Sequence, residues 1–164
     1  MPMQHACHVK LFLVIMNVLD NIEHIVPEGE TFKVSVTGRS MLPLLGFGRD
    51  TILVRRVAID EDISHRIAMF RSEDGRIIVH RVMEVVEGDV ALKGDGNLQL
   101  TERCRRGEII GVVDRVIRRS GKVVDCTSRW WRIRERMWLI QPYFIRRCIL
   151  ALLHRWLNLM EKIK

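Results

Sequence analysis

The stretch "RIIVHRVMEVVEGDVALKGDGN", residues 76–97, decides the fold. Two runs rich in valine and isoleucine, "RIIVHRVMEVV" and "DVALKG", flank the turn-forming "EGD" and read as a pair of antiparallel strands. The same texture extends in both directions, through "TFKVSV", "TILVRRV" and "RIAMF" before it and "EIIGVVDRVI" and "KVVD" after it. Gly, Asp and Asn fall between the runs, as in "EDGR" and "GDGN". From Thr31 to about Asp125 the chain therefore predicts six or seven strands of a mostly antiparallel β domain, with no internal repeat and no low-complexity segment.

Helical spacing flanks this zone. Apolar residues recur at helical intervals over 9–25 and stop before Pro27, which predicts one short N-terminal helix. From Arg129 onward helix returns, interrupted at Pro142. The expected organisation is an N-terminal helix within residues 1–30, a β domain over 31–128, and a basic, Trp-rich helical tail over 129–164. A chain of 164 residues holds one domain with a real core and is too short for two ordinary ones. With 48% hydrophobic and 29% charged residues and only four prolines, general disorder is excluded.

The net charge of +7 is not spread evenly. Residues 1–128 carry 18 basic and 18 acidic side chains, and residues 129–164 carry nine and two, so the tail holds the whole excess. Its apolar face is too wide for a purely electrostatic grip, which argues against nucleic acid as the partner. Trp130, Trp131, Trp138 and Trp156, set among basic residues, suit a membrane surface. Packing on the β domain or on a second copy stays open, and so does the oligomeric state. No run approaches the ~20 apolar residues of a membrane span. "LFLVIM" (11–16) is cut short by Asn17 and Asp20 and makes a weak secretory signal, so a cytoplasmic or peripherally membrane-associated location is expected. Cys7, Cys104, Cys126 and Cys148 lie at no zinc-like spacing and read as reduced thiols. His5, Cys7 and His8 lack a fourth ligand, so no metal is expected.

The chemistry concentrates in "VTGRSMLPLLGFGRD", residues 36–50. Gly38 is expected to supply a backbone conformation closed to other residues, and Pro43 fixes φ, so the strand "TFKVSV" ends in a constrained turn. Ser40 then sits in a rigid, partly exposed loop that suits a nucleophile; taken alone, capping of the turn is the commoner reason for a serine there, and the rest of the chain shifts the balance. Further along, His80 lies mid-strand in "IIVHRV" and Asp95 lies in "KGDGN". "SMLP", "IIVHRV" and "KGDGN" occur in that order, about forty and about fifteen residues apart.

In this ordered set the chain resembles the type I signal peptidase family, within the superfamily of β-fold serine peptidases that includes the LexA-like self-cleaving repressors. The resemblance covers about residues 31–117 and implies a coiled antiparallel β domain of that kind. It implies that Ser40, with Met41 and Pro43 matching a Ser-Met-x-Pro box, is the nucleophile. "His80-Arg81-Val82" is similar to the box of the endoplasmic-reticulum-type branch, where histidine replaces the lysine base of bacterial housekeeping enzymes. Histidine titrates near ~6.5 unaided, whereas lysine needs strong pKa depression to serve as base. "LKGDGN" is similar to the family's Lys-Gly-Asp-Asn-Asn box, which implies that Asp95 orients His80; Gly96 replaces an asparagine and Asn97 matches.

The chain also departs from the family pattern. A second acidic residue is usual six or seven positions after the first; Thr101 and Glu102 occupy those positions, so Glu102 is the candidate accessory acid. Two residues before the nucleophile the family has a serine that helps the oxyanion hole, where this chain has Gly38, followed by Arg39 in place of a small residue. The hole would then rest on backbone N–H groups, including that of Ser40. Gly38, Arg39, Met41 and Leu42 are expected around the oxyanion and substrate cleft. The resemblance implies a serine endopeptidase acting on a leader or signal-like peptide within a peptide or protein substrate, without cofactor. Two alternatives remain: an inactive peptide-binding module of the same fold, and a self-cleaving LexA-like regulator, for whose DNA-binding domain residues 1–30 are too few.

Overall fold

The computed structural model describes residues 21–46 and 48–162, without the side chains of Glu23 and His24. The helix expected over 9–25 lies mostly outside the described residues; the described part of that range holds a four-residue helix, α1 (Ile22–Ile25), that begins after Asn21. The protein is mainly β. Eight strands form one antiparallel sheet: β1 (Thr31–Ser35), β2 (Thr51–Arg56), β3 (Ile67–Arg71), β4 (Ile77–Val86), β5 (Asp89–Lys93), β6 (Thr101–Arg105), β7 (Ile109–Ile117) and β8 (Val123–Asp125). Two C-terminal helices follow, α2 (Arg129–Leu139) and α3 (Tyr143–Lys162). The strand order is β1-β2-β7-β3-β4-β5-β6, with β8 on β7 beside β3.

The β4–β5 pair forms as the opening stretch predicts. Val86 pairs with Asp89, leaving Glu87 (φ 49°) and Gly88 (φ 86°) as a two-residue loop with both φ positive. That is the turn whose twist matches the flanking strands, and glycine at its second position adopts it without a Cβ clash. One strand escapes the sequence reading. "TERCR" is polar, and β6, which it forms, buries only Cys104. It is an edge strand paired to β5, so it needs one apolar contact rather than an apolar face.

Period-2 alternation divides the core in two. On β3, Ile67 and Met69 face a cluster that also holds Leu45, Val54, Val113, Trp131 and Trp138. Ala68 and Phe70 face another, built from Val82, Leu92, Val112 and their neighbours. The C-terminal helices belong to the first cluster: Trp131 is 1% exposed, and Trp138, Leu150 and Leu157 are buried. The segment expected as a tail is thus packed against the sheet along one side of each helix. Ser128 caps α2, accepting a hydrogen bond from Trp131 N–H at 3.2 Å.

Candidate active site

The chain leaves β1 into the loop that carries Ser40. Val36 N–H donates to Asp50 O (3.0 Å) and Gly48 N–H donates to Val36 O (2.9 Å), which closes the base of the loop. Its apolar residues Met41, Leu42, Leu44 and Leu45 are driven into the core, and the Leu42–Pro43 peptide is cis. The Arg118 guanidinium, bonded to Asp50 and to Leu44 O, braces the far side. Asp50 in turn accepts from Gly46 N–H at 2.6 Å. These contacts spend Met41, Leu42, Leu44, Leu45 and the Asp50 carboxylate on the fold, and Ser40 remains half-buried beside them.

His80 reaches the same place from β4. A side chain at position 94 would lie 3.0 Å from His80 Nε2, 3.2 Å from Ser40 Cβ and 2.5 Å from Ser40 O. Ser40 Cβ and His80 Nε2 are therefore separated by no more than the sum of the first two distances. Only glycine leaves this space open. Gly96 does similar work one step on: its N–H donates to Ser40 O at 2.7 Å, and a Cβ there would lie 3.0 Å from both Arg39 O and Leu42 O. The two glycines of "KGDGN" thus let one loop seat against the other.

The other ring nitrogen meets Glu102. His80 Nδ1 and Glu102 Oε2 lie 2.9 Å apart. Both atoms are closed off from solvent with no other polar partner among the described residues, and the oxygen lies off the line of a straight N–H bond. Glu102 is delivered by β6, where it pairs with Leu92 of β5. Burial lowers the His80 pKa below 6.5, while the Glu102 carboxylate pulls in the opposite direction. The imidazole is consequently neutral at neutral pH, the state a base requires.

Asp95 differs from the expectation. Its carboxylate takes both forks of Arg81, Nε to Oδ1 and the terminal nitrogen to Oδ2, each at 2.8 Å, and both side chains are 2% exposed. Fully engaged with that guanidinium, Asp95 acts on His80 only through its field. Arg81 also reaches Glu135 Oε1 of α2 at 2.8 Å, and Glu135 accepts from Trp131 Nε1–H at 2.5 Å. Trp138 Nε1–H (3.1 Å) and Arg146 (3.2 Å) donate to Asp95 O. Asp95 is thus the node that ties the loop beneath Ser40 to both helices.

The remaining expected residues divide. Gly38 is close: a Cβ there would meet Ser40 Oγ at 3.9 Å and nothing else within reach. Its φ is not positive, so the turn does not require glycine, contrary to the sequence expectation. Arg39 does not point into a cleft; its guanidinium binds Asn158 Oδ1 (2.6 Å) and Glu161 Oε1 (2.7 Å) near the end of α3. Met41 is a core anchor rather than a cleft residue. Leu42, with Pro43, lines a cavity of about 560 Å³ between this loop and α3. Among the described residues the Ser40 N–H donates no backbone hydrogen bond. Arg81 and Glu135 were missed in the sequence. The signal for both is a charge out of place, an arginine inside a buried strand and the lone acid of an arginine-rich helix.

No protein-family model matches the chain, and no curated protein matches it.

Proposed function

We propose that the chain is a serine endopeptidase resembling the Ser-His branch of type I signal peptidases, acting on a leader or signal-like peptide. The observation that carries this reading is the open space at Gly94, around which a half-buried serine and a neutral histidine meet while Glu102 backs the histidine. Ser40 Oγ attacks the scissile carbonyl and gives its proton to His80 Nε2. Glu102 holds the Nδ1 side of the ring and stabilises the imidazolium. The oxyanion collects at backbone N–H groups, Ser40's included. Collapse expels the amine, protonated by His80, and leaves an ester on Ser40; water, deprotonated by His80, then releases the acid. No cofactor enters these steps.

The place of action in this reading is the cytoplasm or a membrane surface, the latter reached peripherally through residues 129–164. No helix of the described residues is long and apolar enough to cross a membrane. Large apolar side chains nevertheless stand exposed on both C-terminal helices, Trp130 (77%) on α2 and Phe144 (72%) on α3 among them.

The reading is tested by incubating the purified chain with a mixed peptide library and mass-analysing the products. Turnover of added peptides is the expected result. Saturable binding without cleavage would favour an inactive binding module, and cutting confined to the chain itself would favour a self-cleaving regulator. The pH dependence is a second check. Because burial holds the His80 pKa below 6.5, kcat/KM should rise along an acid limb with a midpoint below 6.5 and be flat at neutrality. A midpoint above 6.5 contradicts the assignment of His80 as base.

A further inference from the structure

Each C-terminal helix carries two apolar faces and uses one. On α2, Trp131 and Trp138 turn inward, while Trp130, Ile133 and Met137 recur at helical spacing on the exposed side. On α3, Leu150 and Leu157 are buried. At 100° per residue, the exposed Phe144, Ile145, Ile149, Leu152, Trp156 and Leu159 fall within a sector of about 140° on the other side. The wide apolar face of the sequence is thus two faces, and one has no cover among the described residues.

The charges around the second face have one sign. The two acids of α2 and α3 are both consumed, Glu135 by Arg81 and Glu161 by Arg39. Arg132, Arg136, Arg147, Arg155 and Lys162 form no ion pair among the described residues and are exposed. A second copy would bring the same positive set against this one, so self-association is opposed. An anionic bilayer offers what the face lacks, apolar depth for the indole and aliphatic side chains and negative charge for the rim.

The face runs into a pocket. Trp156 also lines the cavity of about 560 Å³, together with Leu153 and Leu157, and Arg49 stacks over its ring at 5.1 Å. Asp50 also lines the cavity, its carboxylate taken by Arg118, while Arg49 and Arg119 line it with no acidic partner among the described residues. Two such arginines at the rim of an apolar floor suit a phosphate on an acyl chain.

We propose that the outer face of α2 and α3 lies on an anionic bilayer, with the cavity between α3 and the Ser40 loop receiving a phospholipid phosphate. This deepens the membrane-surface reading and rests on it, but not on the peptidase chemistry. Because Arg39 is tied to Asn158 and Glu161, docking of α3 would also fix the orientation of the Ser40 loop at the surface.

The test is co-sedimentation of the full chain with phosphatidylcholine vesicles, with and without phosphatidylglycerol. Deleting 129–164 is not a usable control, since Trp131 and Trp138 belong to the core. The expected result is binding at least about tenfold tighter to the anionic vesicles and weakened by salt. Leu152→Glu, at an exposed site, should lower it about tenfold with the melting temperature unchanged. Arg49→Ala with Arg119→Ala should lower it several-fold, and inorganic phosphate at the same phosphate concentration should not compete. Failure to bind either vesicle, equal binding to both, indifference to Leu152→Glu, or a solution dimer that buries Leu152 overturns the bilayer as occupant. Indifference to the double arginine variant, or equal competition by free phosphate, overturns the lipid phosphate site. None of these outcomes depends on peptide cleavage.

Discussion

Ser40→Ala is expected to lower turnover of a cleaved peptide roughly 10,000-fold while leaving the melting temperature unchanged. The Ser40 hydroxyl makes no side-chain hydrogen bond among the described residues, and the loop is held instead by Met41, Leu42, Leu45 and the Arg118–Asp50 contact. Removing one oxygen therefore removes chemistry without removing structure. His80→Ala should cost about as much activity, because a serine hydroxyl is a poor nucleophile until a base takes its proton. His80 is 4% exposed, so that variant also loses packing, for instance against Phe70, whose ring centroid is 6.2 Å away. Comparable activity losses with different stability losses form the expected pattern, read by steady-state kinetics alongside thermal unfolding. A Ser40→Ala protein that retains turnover removes the nucleophile from the account.

The second large effect separates two acids that look alike in sequence. Asp95→Asn should destabilise the fold by about 3–5 kcal/mol, because Arg81 is buried with it and would lose its main counter-charge. That is a large share of the ~5–15 kcal/mol by which a typical domain is stable, and denaturant unfolding would register it. Glu102→Gln should do the opposite: small loss of stability, but about a 100-fold or greater fall in kcat/KM, since the amide cannot stabilise the imidazolium. The same change removes the group that raises the His80 pKa, so the acid limb of the pH profile should move lower still. A stable but inactive Asp95→Asn, paired with a fully active Glu102→Gln, would contradict the placement of the two carboxylates.

The β zone was legible because alternation and turn residues speak for themselves; "EGD" between two valine-rich runs admits little else. Glu102 was legible only as an accessory because its strand was not. "TERCR" has one buried side chain, and without β6 in place nothing assigns Glu102 to His80 rather than Asp95. Proximity in sequence favoured Asp95, but a guanidinium one residue after His80, on the opposite side of the strand, claims it first. Gly94 and Gly96 read as turn formers, and their larger role, close approach of one loop to another, depends on contacts distant in sequence. The helical tail posed a similar limit. Periodicity measures how much of a helix is apolar, but only packing divides that surface into a buried side and an exposed one.

A serine-directed covalent probe applied to the native chain, followed by mass analysis of the labelled peptide, tests the pairing of Ser40 with His80 most directly. The account predicts one adduct, on Ser40, that is lost on unfolding and in His80→Ala and that fades as pH falls through the lowered His80 pKa. Labelling at another serine, undiminished labelling in His80→Ala, or no native labelling at all would contradict it.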